Sequence, residues 1–107
     1  MKIELMKQID DALALIHNKM KDGLISQALK EIAAIYSPFF ALDFQTIQTL
    51  DPTTLRSLFG NIEKIRALAQ VLDVHASLHE SAGDPTQANE CRKMAKRLED
   101  FEKNAGK

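Results

Sequence analysis

Residues 61–104 read NIEKIRALAQVLDVHASLHESAGDPTQANECRKMAKRLEDFEKN, and the turn at their centre, Ala82-Gly83-Asp84, decides the fold. Gly83 follows the last apolar position of one helical pattern, where a left-handed backbone is needed and glycine adopts it without a side-chain clash. Asp84 then stands as an N-cap, Pro85 occupies the first helical position where its missing N–H costs nothing, and Gln87 completes an Asp-x-x-Gln capping box. The stretch is therefore a helical hairpin, one helix from about Ile62 to Ser81 and a second from Pro85 to about Lys103.

The first helix of the pair is apolar on two adjacent stripes, Ile65, Leu68, Leu72, Ala76 and His79 on one and Ala67, Val71, Val74 and Leu78 on the other. Such a helix is expected at the centre of a fold. Its partner is narrower, with Ala88, Cys91, Ala95 and Leu98 inward, and reads as an outer helix whose small residues let the backbones approach.

Ala76, Gly83-Asp84, Ala88 and Ala95 together resemble a single tetratricopeptide-repeat unit, in which small residues lock two antiparallel helices around a Gly-Asp turn. The hairpin departs from that motif at His75 and His79, where the repeat prefers large apolar or aromatic residues, and at Arg92, which replaces an aromatic.

Upstream, residues 3–22 form an amphipathic helix with Leu5 or Met6, Ile9, Leu13, Ile16 and Met20 in helical register. Gly23 ends it, and a second helix over 26–36 turns Ala28, Leu29, Ile32 and Ile35 or Tyr36 inward. Gly23-x-x-x-Gln27-Ala28 and Gly83-x-x-x-Gln87-Ala88 share one spacing, sixty residues apart. This is consistent with two degenerate copies of one unit, and three matching residues also arise by coincidence. Between the hairpins, residues 37–60 form a connector: Pro38 ends the second helix, and Phe39, Phe40, Leu42, Phe44, Ile47 and Leu50 make a cluster too apolar for solvent. Asp43 caps a short helix, Asp51-Pro52 opens another that Gly60 closes, and Asn61 caps the central helix. The expectation is a single all-α domain over 1–104 of about six helices, comprising an N-terminal hairpin (3–36), the connector and the C-terminal hairpin (61–103), with a flexible tail at 105–107. In this order of elements the chain resembles a family of small uncharacterised bacterial helical proteins, which implies the fold and a bacterial source and no particular activity.

Composition limits the function. A chain of 107 residues, 45% hydrophobic and 27% charged, is ordinary for one soluble domain, and such a length buries roughly 60 to 70% of its unfolded surface. Its net charge of -1, with both signs spread throughout, indicates neither a polyanionic nor a membrane partner. A single cysteine, no signal-peptide pattern and no transmembrane run place it in the cytoplasm.

Few residues offer chemistry. His75 and His79 lie four apart on one helix face, the spacing at which two imidazoles can share a metal, and Cys91 on the antiparallel helix could approach His75. Residue 76 is alanine, so the pair lacks the glutamate of a His-Glu-x-x-His metalloprotease; Glu80 is the nearest further carboxylate. On sequence alone, packing accounts for these residues better than ligation, and no metal or cofactor is expected. No nucleophile motif or phosphate-binding loop occurs, so no catalytic residue is assigned. Arg92, Lys93, Lys96 and Arg97 line the last helix, but interleaved acids argue against a nucleic-acid-binding helix-turn-helix. What remains is a non-catalytic interaction module, a homodimer or a binder of a protein or peptide partner. Met6, Met20, Phe39, Phe40 and Phe44, with Met1, are the apolar residues expected at its surface of contact.

Overall fold

Four short side chains each close the first turn of a helix. Asp43 accepts the Thr46 N–H at 2.8 Å, Asp51 that of Thr54 at 2.8 Å, Asn61 that of Lys64 at 2.9 Å and Asp84 that of Gln87 at 3.2 Å. Each supplies an acceptor to an N–H that the helix itself leaves unpaired. The same bonds hold the Asp43 and Asp51 carboxyls below their ordinary pKa. In the computed structural model, which describes the backbone of residues 2–105 and the side chains of 6–104, seven helices result: α1 (Lys2–Lys21), α2 (Ile25–Ala33), α3 (Tyr36–Phe40), α4 (Phe44–Thr49), α5 (Pro52–Phe59), α6 (Ile62–Ser81) and α7 (Pro85–Ala105). No strand occurs among the described residues, so the all-α expectation holds. Met1 and residues 106–107 lie outside them.

The two long hairpins turn identically. At Gly83 (φ 81°) the Asp84 N–H reaches the His79 carbonyl at 2.8 Å and the Gly83 N–H that of Glu80 at 3.0 Å. At Gly23 (φ 80°) the Leu24 N–H reaches Lys19 at 2.9 Å and the Gly23 N–H reaches Met20 at 3.1 Å. Both are Schellman closures with glycine in the left-handed position. Ala28 and Ala88, at equal distance beyond each glycine, are both fully buried.

Two helix ends differ from the expectation. The second helix stops at Ala33, and Tyr36 opens α3 with Pro38 inside its first turn. Continued as one helix, the chain would press the Pro38 ring against the Ala34 carbonyl four residues back, so the break falls ahead of the proline. In the first turn of α3 the missing N–H costs nothing. This five-residue helix is the one beyond the expected six, and α7 runs on to Ala105, two residues past its expected end.

Helix α6 is central, in contact with α1, α2, α5 and α7 and most extensively with α7. Ile65, Ala67, Leu68, Val71, Leu72, Ala76 and Leu78 are all fully buried along it. Ile9 and Ile16 of α1, Ile32 of α2, Phe40 of α3, Ile47 of α4 and Leu55 of α5 converge on the same core, which α7 closes with Ala95 and Leu98. A Cα radius of gyration of 13.4 Å is that of one packed domain of about 100 residues, for which about 13 Å is usual. The sites described below both depend on α6.

Candidate functional site

The i, i+4 spacing on α6 stacks the rings of His75 and His79, with centroids 4.6 Å apart and planes inclined by 21°. Cys91 comes from α7. Its position follows from the small inward residues of that helix, since Ala88 and Ala95, one turn either side, let α7 lie close on α6. The result is that one ligand-capable atom from each of His75, His79 and Cys91 lies within 4.8 Å of the other two. His75 and Cys91 are buried and His79 is half-buried.

A residue that the sequence did not connect to this cluster completes it. The hydroxyl of Tyr36, on the short α3, lies 2.8 Å from Nδ1 of His75, across 39 positions of sequence. Tyr36 is itself fully buried, and the ring of Phe44 lies 5.0 Å from that of His75. The one available signal was the tyrosine itself: at an apolar helical position its hydroxyl needs a buried partner. It finds one, and no buried side-chain nitrogen or oxygen among the described residues is left without a hydrogen bond.

Burial governs the protonation of the cluster. It pushes the His75 imidazole down to about 4, with the neighbouring His79 adding to the effect. It pushes the Cys91 thiol up to about 11, Glu90 reinforcing and Arg92 opposing. Tyr36 is likewise raised, by burial first and then by Cys91. At neutral pH, Tyr36, His75 and Cys91 are thus uncharged. A thiol in that state is a poor nucleophile.

Glu80 does not join this group. It is exposed and pairs with Arg92, which holds its carboxyl below the ordinary value, so the expected further carboxylate is engaged elsewhere. The remaining basic residues of the last helix, Lys93, Lys96 and Arg97, are exposed among Glu90, Glu99 and Asp100. Arg66 on α6 meets Glu102 on α7 at 2.8 Å.

Of the residues expected at a contact surface, one is withdrawn from it. Phe40 is in the core, and Met6, Met20, Phe39 and Phe44 are half-buried against it. Comparison of the chain with family models, with curated proteins and with solved structures returns no match.

The surface that is open lies elsewhere. The first helices of the two hairpins, α1 and α6, run in contact, and a groove between them is lined by Asp10, Leu13, Ala14, His17, Gln70, Asp73 and Val74. Asp73 also borders a second, larger groove on the α7 side, lined by Arg92, Lys96 and Lys103 together with Glu99 and Asp100. Partial burial raises the Asp73 carboxyl above its usual value, with Arg92 opposing. No helix among the described residues is long and apolar enough to cross a membrane.

Proposed function

We propose that this protein is a non-catalytic, cytoplasmic interaction module, built from two degenerate tetratricopeptide-like hairpins as in a family of small bacterial proteins. Its working surface is the α1–α6 groove, and the occupant is a second copy of the chain. The groove carries this reading: it runs between the first helices of the two hairpins, with Leu13, Ala14 and Val74 between the polar groups of Asp10, His17, Gln70 and Asp73. An apolar strip flanked by polar groups is the anatomy of a recognition surface. The identical turns at Gly23 and Gly83 support the kinship of the hairpins.

Two hairpins are too few to wind a superhelical groove, and association is the usual way for so short an array to complete its surface. Asp73 borders both this groove and the α7 groove that holds Arg92, Lys96 and Lys103 among acids, so the neighbourhood carries both signs, as pairing of one patch with itself across a two-fold axis requires. A net charge of -1 sets no long-range repulsion between copies.

Sedimentation of the purified protein over a range of concentrations tests this. The parent is expected to form a dimer, and Ala14→Arg, at an exposed groove position, is expected to weaken it at least about tenfold, or about 1.4 kcal/mol, without altering the core. A monomer at all concentrations, or a dimer indifferent to Ala14→Arg, would remove the groove from consideration as a self-association surface. A protein captured from a cytoplasmic extract by the parent and lost with that variant would identify a different occupant of the same groove.

A further inference from the structure

We propose that His75, His79 and Cys91 form a transition-metal site, in which two imidazole nitrogens and one thiolate take a borderline-soft divalent ion, zinc foremost, and a water completes the shell. The proposal is independent of the groove. It stands first on placement: one turn of α6 and one position of α7 bring three ligand-capable atoms within 4.8 Å of one another. Around a tetrahedral zinc, nitrogen and sulfur ligands lie about 3.5 Å apart, so closure requires about 1 Å of approach, within reach of side-chain rotation. The nitrogen and sulfur donors match zinc and neighbouring late transition metals, whereas calcium and magnesium require oxygen.

Second, the Tyr36 hydroxyl supports the site independently of that placement. A histidine that binds a metal through one ring nitrogen is held through the other by a hydrogen bond that fixes its orientation. Tyr36, at 2.8 Å, occupies Nδ1 of His75 and leaves Nε2 as the ring nitrogen free for an ion. In the metal-bound state the Nδ1–H donates to the hydroxyl oxygen. Phe44 and the core around it exclude water behind the cluster, while half-buried His79 provides the way in.

Third, hydrophobic packing alone does not call for this composition. A leucine at 75 or 79 would fill the core without the desolvation of an imidazole, and the surrounding positions Leu72, Ala76 and Leu78 are apolar. The binding step balances as the displacement of one proton: the Cys91 S–H bond breaks, the sulfur–metal bond forms, and the proton passes to solvent. An uncoordinated thiol carries its proton at neutral pH, so the release is measurable.

The test uses the full chain without a histidine tag, titrated with cobalt(II) and then zinc(II). Expected are one equivalent bound, a thiolate-to-cobalt charge-transfer band in the near ultraviolet, about one proton released per ion, and protection of Cys91 from thiol reagents. Cys91→Ser should abolish the band, and His79→Gln, at the half-buried position, should weaken zinc binding at least about tenfold while metal-free melting stays near that of the parent. Should Cys91→Ser fail to fold, His79→Gln with thiol protection carries the same decision. Absence of the band at one equivalent, its persistence in Cys91→Ser, or zinc affinity indifferent to His79→Gln would each overturn the site.

Discussion

The two hairpins close on the same backbone hydrogen bonds and then diverge. Each is also tied by an ion pair between residues twelve apart across its turn, Lys19 with Glu31 at 2.5 Å in the first and Glu80 with Arg92 in the second, in reversed order of charge. Beyond the turn, however, Asp84 caps α7 with its side chain whereas Leu24 offers α2 no side-chain cap. Helix α7 continues for 21 residues and α2 for nine. A shared turn thus sets how two helices meet, and the residues beyond it set how far they stay together. The positions sixty residues before His75, His79 and Cys91 are Leu15, Lys19 and Glu31, so residue identity, and not the turn, confines the cluster to the second hairpin.

This comparison can be broken by variants, the largest effect first. Ala88→Leu should overpack the α6–α7 crossing and cost about 1 to 3 kcal/mol in chemical denaturation. Ala28→Leu, equally buried, should cost a similar amount; tolerance there would show that the first hairpin is looser despite its matching turn. Gly83→Val and Gly23→Val should each cost about 1 to 3 kcal/mol and resemble one another, because both glycines hold a φ near 80° and an added Cβ would meet no atom within 4 Å. Unequal penalties would mean that the turns are not equivalent.

A change of pH separates the hairpins further. The folded pKa of His75 lies below its unfolded value of 6.5, so the unfolded chain binds the extra proton and stability falls as pH drops from 6.5 towards about 4. The slope should approach roughly 1 kcal/mol per pH unit, and His75→Gln should flatten it in melts taken across that window. Smaller effects belong to the caps. Asp84→Ala should cost about 1 kcal/mol, and Leu24→Asp, at an exposed position, should recover a few tenths of a kcal/mol for α2. A neutral Leu24→Asp would mean that the backbone at residue 24, whose ψ of 58° is not the extended value of a usual cap, prevents the new bond. Arg92→Ala should move the melt least of all, since the pair it breaks is exposed.

What could be read in the sequence was written in local chemistry. Asp43, Asp51, Asn61 and Asp84 announce helix starts because each acts within its own next three residues. Gly23, Gly60 and Gly83 announce stops because all three hold a positive φ. The join of α2 and α3 escaped, since Ile32, Ile35, Tyr36, Phe39 and Phe40 keep helical spacing through the break. The end of α3 was equally silent: Ala41 takes the left-handed position there, at φ 61°, where glycine would have marked it. The pairing of His75 with Cys91 was legible because one hairpin contains both. Tyr36 was not, since its contact with His75 depends on how the connector folds back. The place of Phe40 in the core was hidden for a related reason, periodicity being blind to whether an apolar face meets a partner or its own chain.

The central place of α6 also sets an order on synthesis. Ile9, Ile16 and Ile32 of the first hairpin are buried in a core built around a helix that ends at Ser81, nearly fifty positions after α2 is complete. At about 5 to 20 residues per second, the nascent first hairpin therefore waits a few seconds on the ribosome with its apolar side uncovered. The α6–α7 pair has no such wait, because its contacts lie close in sequence and form as soon as both helices emerge. The late hairpin is in this sense the template onto which the early one condenses.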